Sequence, residues 1–147
     1  LVTVINVHDG DTLTVQQGWQ KVKVRLCGID APELAQSLGV ESRNQLRQFI
    51  ASAGNQVILY GNDIDRYGRR VAEVFVPDPT PQQPEQEKVL NDEMVRVGMA
   101  YHYAKYSDRC PNGRSGLVKA EAEAQSKRLG VWSVANAVKP WDYRKRQ

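Results

Sequence analysis

The first third of the chain alternates apolar and polar positions with a period of two. Val2, Val4 and Val7 open the pattern, Thr12 to Val15 follows a tight Asp-Gly turn, and Lys21-Val-Lys-Val-Arg25 alternates strictly. Short pieces rich in Gly and Asp join these runs, which predicts a three-stranded meander. From Gly39 to Ala53 the period lengthens. Val40, Leu46, Phe49 and Ile50 fall on one helical stripe, with Arg43, Gln45 and Gln48 elsewhere, and Gly54-Asn55 supplies the stop. Two more strands are predicted at about 56–60 and 71–76, on either side of the polar run 62–70. The stretch from Pro77 to Pro84 holds four prolines, and four missing backbone donors predict an exposed loop. A short helix is expected from Asn91, a good N-cap, to Val97 before Gly98, and a last one from Ser115 to Leu129 before Gly130, with Trp132 packed beneath it. The basic tail, about 133–147, is expected to fray.

Five strands with one helix before the fourth and two helices at the end predict an α+β fold: a five-stranded OB-type β-barrel with three α-helices, in a single domain spanning 1–147. Length agrees, since 147 residues suit one core and leave little room for a second. With 41% hydrophobic and 25% charged positions the chain is not expected to be disordered, and no apolar run reaches the roughly 18 residues of a membrane span. The opening residues read as strand, so no signal peptide is expected in this sequence. Twenty Lys and Arg against 17 Asp and Glu give a net charge of +3, a mild lean toward polyanions. The two cysteines, Cys27 and Cys110, are either one disulfide or two buried thiols; with His8 and His102 as the sole histidines they make no convincing zinc site.

Three carboxylates stand out by context: Asp11 in Asp9-Gly-Asp-Thr12, and Asp30 and Glu33 in Gly28-Ile-Asp-Ala-Pro-Glu33. Each opens or follows a strand, and neighbouring Gly or Pro constrains the local backbone. If the strands are neighbours, the acids converge at one rim of the barrel, where their mutual repulsion calls for a cation or a raised pKa. A hard divalent ion with oxygen ligands answers that need. Turn formation alone explains the same residues about equally well. An EF-hand loop is excluded, because its sixth and twelfth positions are Thr14 and Gln20. Arg25 ends a strand just before Gly28-Ile-Asp30, and Arg69 lies in Asp65-Arg-Tyr-Gly-Arg-Arg70. A cation between carboxylates, flanked by two guanidinium groups, is what phosphoryl chemistry asks for. The alternatives are a structural ion pair for Arg25 and a solvated hairpin tip for Arg69. No Ser-His-Asp or Cys-His arrangement has support.

Five blocks resemble the staphylococcal nuclease (thermonuclease) family, in the family's order: Asp9-Gly-Asp-Thr12, Val24 to Glu33, Asp65-Arg-Tyr-Gly-Arg69, Leu90 to Ala100 and Leu129-Gly-Val-Trp132. The resemblance runs from about Val4 to Trp132. It implies an OB-fold endonuclease, dependent on calcium or another divalent cation, that hydrolyses DNA and RNA, with single-stranded or denatured substrate preferred, and leaves 3′-phosphate ends. Carried over by motif, Asp11 and Asp30 would ligate the metal by carboxylate and Ala31 by its carbonyl. Glu33 would contact the metal through water and position or deprotonate the attacking water. Arg25 and Arg69 would bind the phosphate, with Arg69 assisting the leaving oxygen.

Arg66, where the family has a lysine, and Tyr67 would contact the nucleotide. A further tyrosine contact is expected at Tyr103, with Tyr101 and Tyr106 as rivals. The segment from Glu33 to Gly39 is shorter than the flexible loop of the staphylococcal enzyme, so Glu33 is expected to be held differently. A monomer is expected. A Cys27–Cys110 disulfide would fit an exported protein, secreted or periplasmic, although a cytoplasmic address stays open. Two other readings remain at this point: a catalytically silent nucleic-acid-binding OB module, and a phosphodiesterase acting on small nucleotides.

Overall fold

A computed structural model describes residues 1–77 and 87–147. Apart from Pro77, the proline-rich loop expected from Pro77 to Pro84 lies outside the described residues. The meander forms as expected: β1 (Val2–Val7), β2 (Thr12–Gln17) and β3 (Gln20–Leu26) pair in antiparallel succession. β1 buries Val4 and Val7, which are three residues apart, and this breaks strict alternation. A register shift between Val4 and Asn6 explains it, since one extra residue returns the following side chain to the core face.

β5 (Gln56–Ile64) and β6 (Arg70–Pro77) complete the sheet, and parallel pairing of β3 with β6 closes it into a five-stranded barrel. β5 runs four residues beyond the expected end at Tyr60. A second register shift, between Tyr60 and Asp63 around Gly61, carries it into an exposed arm whose polar residues give no alternation to read. A three-residue strand, β7 (Glu87–Val89), adds to the edge of β6. A two-residue strand, β4 (Ile29–Asp30), pairs with β8 (Tyr101–His102) and sets Asp30 opposite Tyr101.

The barrel core is Leu13, Val15, Val24, Leu26, Val57, Ala72 and Val74, all buried. Helix α1 (Gly39–Ser52) covers it with Leu46 and Ile50, and α2 (Leu90–Arg96) with Leu90, Met94 and Val95. α4 (Ser115–Ser126) packs against α2, ends three residues short of the expected Leu129, and is followed by a 3-10 turn at Gly130–Ser133. Besides these three expected helices the described residues include two short ones, α3 (Ala104–Ser107) and α5 (Pro140–Lys145). α5 corrects the expectation of a frayed tail. Pro140 presets the first helical turn and is itself buried, while Trp141 stacks on Tyr103 with ring centroids 5.0 Å apart.

Asn91 does not cap α2, whose N-cap is Val89. Its buried amide works across the fold instead: Oδ1 accepts from the Val74 N–H at 3.0 Å, and Nδ2 donates to the carbonyls of Cys27 at 2.9 Å and Ala72 at 3.2 Å. Asn91→Ala leaves a buried donor without its partner where water does not reach, so a loss of about 2–3 kcal/mol is expected in urea unfolding. A change within a few tenths of a kcal/mol would contradict that assignment.

Candidate active site

The acids sit where the barrel opens beside β4. The turn before β2 is built by Asp9, whose Oδ1 accepts the Asp11 N–H at 3.0 Å. Gly10 is required there, because a side chain at that position would collide with Ser42 and Ala31. Asp11 is thereby directed inward. It is buried, and its carboxylate accepts from the Ala31 N–H at 2.8 Å and from the Thr12 hydroxyl at 3.0 Å. Ala31 is thus tied to the site through its peptide. Burial pushes the Asp11 pKa up, but the Arg25 charge and hydrogen bonds from Asp9, Ala31 and Thr12 outweigh it and hold the carboxyl below the usual range. Asp9 is its counterpart: burial, then the neighbouring Asp11 charge, raise it to about 7.

Arg25, the last residue but one of β3, lies between two acids, with Nη1 3.4 Å from Asp11 Oδ2 and Nη2 3.6 Å from Asp30 Oδ1. Its Nη1 also donates to the Leu26 carbonyl at 3.0 Å, which fixes the fork. Asp30 is buried, and burial followed by the Asp11 charge drives its pKa up against the opposing pull of Arg144 and Arg25. Glu33 is half-buried on a tight turn. Its N–H donates to Gln36 Oε1 at 2.9 Å, its carbonyl accepts the Gln36 N–H at 2.8 Å, and Gln36 Nε2 reaches the Val138 carbonyl at 2.8 Å. The short connection after Glu33 is therefore held from both sides.

Arg144 on α5 completes the group, and the sequence reading missed it. Its guanidinium grips Asp30 through two parallel bonds, Nη1 to Oδ1 at 3.0 Å and Nη2 to Oδ2 at 2.6 Å, and Nη1 also reaches Glu33 Oε1 at 2.7 Å. Acids and guanidinium groups thus alternate: Asp11, Arg25, Asp30, Arg144, Glu33. Among the described residues no three metal-ligating side chains form a ready centre, because the arginines stand between the acids. The donor set nonetheless fits a hard cation. It consists of carboxylate oxygens, and those of Asp30 and Glu33 already converge on one positive group.

The remaining candidate arginines, Arg66 and Arg69, lie on the β5–β6 arm. Asp65 Oδ1 accepts the N–H groups of Tyr67 and Arg69, both at 2.9 Å, and Oδ2 accepts Arg69 Nε at 2.7 Å. These bonds outweigh burial and keep the Asp65 carboxyl below its ordinary range. Gly68, at φ 81°, closes the turn. Tyr67 is exposed at the tip, with the guanidinium carbons of Arg66 and Arg69 lying 5.0 and 5.1 Å from its ring centre. Among the described residues Arg69 pairs with Asp65 and not with Asp11, Asp30 or Glu33. The parallel register that sets Val71 beside Arg25 does place the start of β6, which follows Arg69, at the same rim. Arg70 bonds the Gly61 carbonyl at 2.7 Å and is structural.

Tyr103 is stacked on Trp141 and meets the edge of Tyr106 at 5.0 Å, while Tyr101 is buried between Trp132 and Trp141. Tyr106 is the exposed member of the three. The histidines are accounted for locally, His8 by Thr14 at 2.7 Å and His102 by Ser107 at 2.9 Å. Cys27 and Cys110 form a disulfide. No described helix is long and apolar enough to cross a membrane.

A five-stranded OB barrel with acids and arginines at one rim defines the class of the protein. Residues 23–134 match the family model described as staphylococcal nuclease homologue, and the chain belongs to that family. It is 37% identical to Protein ParB of Escherichia coli over 97% of this chain and 77% of that protein. It is 35% identical to the micrococcal nuclease of Shigella flexneri, covering 97% and 79% respectively. It is also 33% identical to the staphylococcal-like nuclease CAN1 of Arabidopsis thaliana over 86% of this chain and 34% of that longer protein.

Proposed function

We propose that the protein is a divalent-cation-dependent endonuclease, with calcium the preferred ion, that hydrolyses phosphodiester bonds of DNA and RNA and leaves 3′-phosphate and 5′-hydroxyl ends. The observation that carries this reading is Arg25 held between the buried carboxylates of Asp11 and Asp30, in a chain of this nuclease family. Asp11, Asp30 and the Ala31 carbonyl would hold the ion, with Glu33 reaching it through water. The ion supplies positive charge against the phosphate.

The remaining chemistry belongs to side chains. Arg25 offers a rigid fork for two phosphate oxygens and neutralises charge that builds at phosphorus. Glu33, half-buried and facing the same space, orients a water and accepts its proton as the oxygen adds to phosphorus. The bond from phosphorus to the 5′ oxygen breaks, and Arg69 on the arm stabilises the departing oxygen as it takes up a proton. Arg66 and the exposed Tyr67 give bases a face on which to stack without sequence preference, which suits single-stranded or denatured substrate. The disulfide supports an oxidising compartment, secreted or periplasmic, as the place of action.

Cleavage of denatured DNA and of RNA, with calcium, magnesium or excess chelator, tests the proposal when product ends are identified. Calcium-dependent cleavage that leaves 3′-phosphates is expected. Undiminished cleavage in chelator, or 5′-phosphate ends, would overturn it.

A further inference from the structure

We propose that Arg144 is a built-in competitor for the cation: the C-terminal helix carries a guanidinium that occupies the Asp30 and Glu33 carboxylates, and a divalent ion must displace it to bind. This rests on the proposed metal site. The contact is directional, since Asp30 gives both carboxylate oxygens to Arg144 at 3.0 and 2.6 Å and Glu33 adds Oε1 at 2.7 Å. A bidentate fork of this kind is among the stronger polar contacts a protein makes. An ion held by Asp30, with a water between it and Glu33, needs the oxygens that Arg144 takes, so the two cations exclude each other on these atoms.

The arginine is delivered by a fixed element. α5 begins at the buried Pro140, Trp141 stacks on Tyr103 and meets the edge of Tyr101 at 5.7 Å, and Tyr103 in turn donates its N–H to the Gly28 carbonyl at 2.8 Å. Tyr101 pairs with Asp30 across β4 and β8. The helix is therefore docked on the same short strands that position the acid. The Arg144 side chain is 42% exposed, against 1% for Asp30, so the guanidinium can swing into water while the helix stays in place. Without this guanidinium Asp30, buried beside Asp11, would keep Arg25 as its one paired cation among the described residues. Arg144 thus stabilises the acids in the ion-free protein and raises the ion concentration at which the site fills.

The test is calcium binding by isothermal titration calorimetry, without nucleic acid, on the full chain and on three variants. Arg144→Gln is expected to bind calcium about tenfold or more tightly. Arg144→Lys, which keeps the charge but cannot bridge both oxygens, should fall between it and the parent. Lys145→Gln removes a charge from the same helix without touching the acids and should bind within about twofold of the parent. Equal affinities for the parent and Arg144→Gln, or the same gain in Lys145→Gln as in Arg144→Gln, would overturn the competition while leaving the metal site standing. Absence of calcium binding in every protein would overturn the metal site and the competition with it. Circular dichroism melts of the ion-free proteins give a second readout: Arg144→Gln is expected to melt lower than the parent without calcium and to gain more from added calcium. An equal gain in both would count against displacement.

Discussion

Arg25→Gln is expected to lower turnover on denatured DNA by about 100- to 1,000-fold, the loss typical when one preorganised donor is taken from a developing charge. The far-UV circular dichroism spectrum should not change. Two features make Arg25 the most sensitive position. Its side chain is 16% exposed, so its charge acts where water screens poorly, and it is braced by the Leu26 carbonyl and by acids on both sides. A guanidinium fixed before substrate arrives costs no reorganisation in the transition state. Glutamine keeps much of the volume but loses the charge and the planar fork. Arg25→Lys should retain part of the activity through charge alone, because a point charge cannot replace two parallel bonds. The effect should appear mainly in kcat, since the fork matters most as charge builds on phosphorus. Full activity in Arg25→Gln would remove Arg25 from the mechanism.

The parts of this site that the sequence exposes are those set by local backbone chemistry. Asp11 and Asp30 can be picked out because Gly10 and Gly28 mark chain turns beside strands, and Arg25 because it ends an unbroken alternation in β3. The barrel order follows from the same periodicities, and closure by β3 and β6 is what the OB topology requires. Arg144 is hidden for the opposite reason. It meets Asp30 across 114 residues, on a six-residue helix within a run of charge that reads as solvated tail. What fixes that helix is aromatic packing by Trp141 on Tyr103, and no periodicity announces it.

Asn91 shows a third case. Its propensity for caps is real, yet three bonds inside the barrel are worth more than one at a helix end. Tyr103 shows a fourth. The motif brings a tyrosine to this segment, but packing decides which ring remains exposed, and here it is Tyr106. The arm beyond Gly61 extends unseen because both of its faces meet solvent, so the alternation that reveals a strand is missing.

Replacing both Cys27 and Cys110 by alanine is expected to cost about 4–5 kcal/mol of stability, by the chain-entropy argument for a loop of this length. The bond joins residues 83 apart in sequence, so opening it restores freedom to more than half of the unfolded chain. The Cα atoms are 5.6 Å apart and both residues are buried, a separation at which two cysteines join without moving the backbone. For a domain of this size the loss corresponds to a fall of about 10–15 °C in Tm, measured by circular dichroism in the absence of metal. Reduction of the parent protein should give a similar shift, and thiol titration of the denatured, unreduced protein should find no free cysteine. The consequence reaches the acids as well. Cys27 stands three residues before Asp30, and the short run between them is fastened at its other points by the Gly28 carbonyl to Tyr103 and by the Asp30–Tyr101 pair. Loss of the bond therefore loosens the strand that presents Asp30, and activity should decline at a lower temperature than the global Tm of the variant. Parallel loss of activity and fold in the variant would confine the disulfide to stability. An unchanged Tm on reduction would mean that the bond contributes nothing the barrel does not already supply.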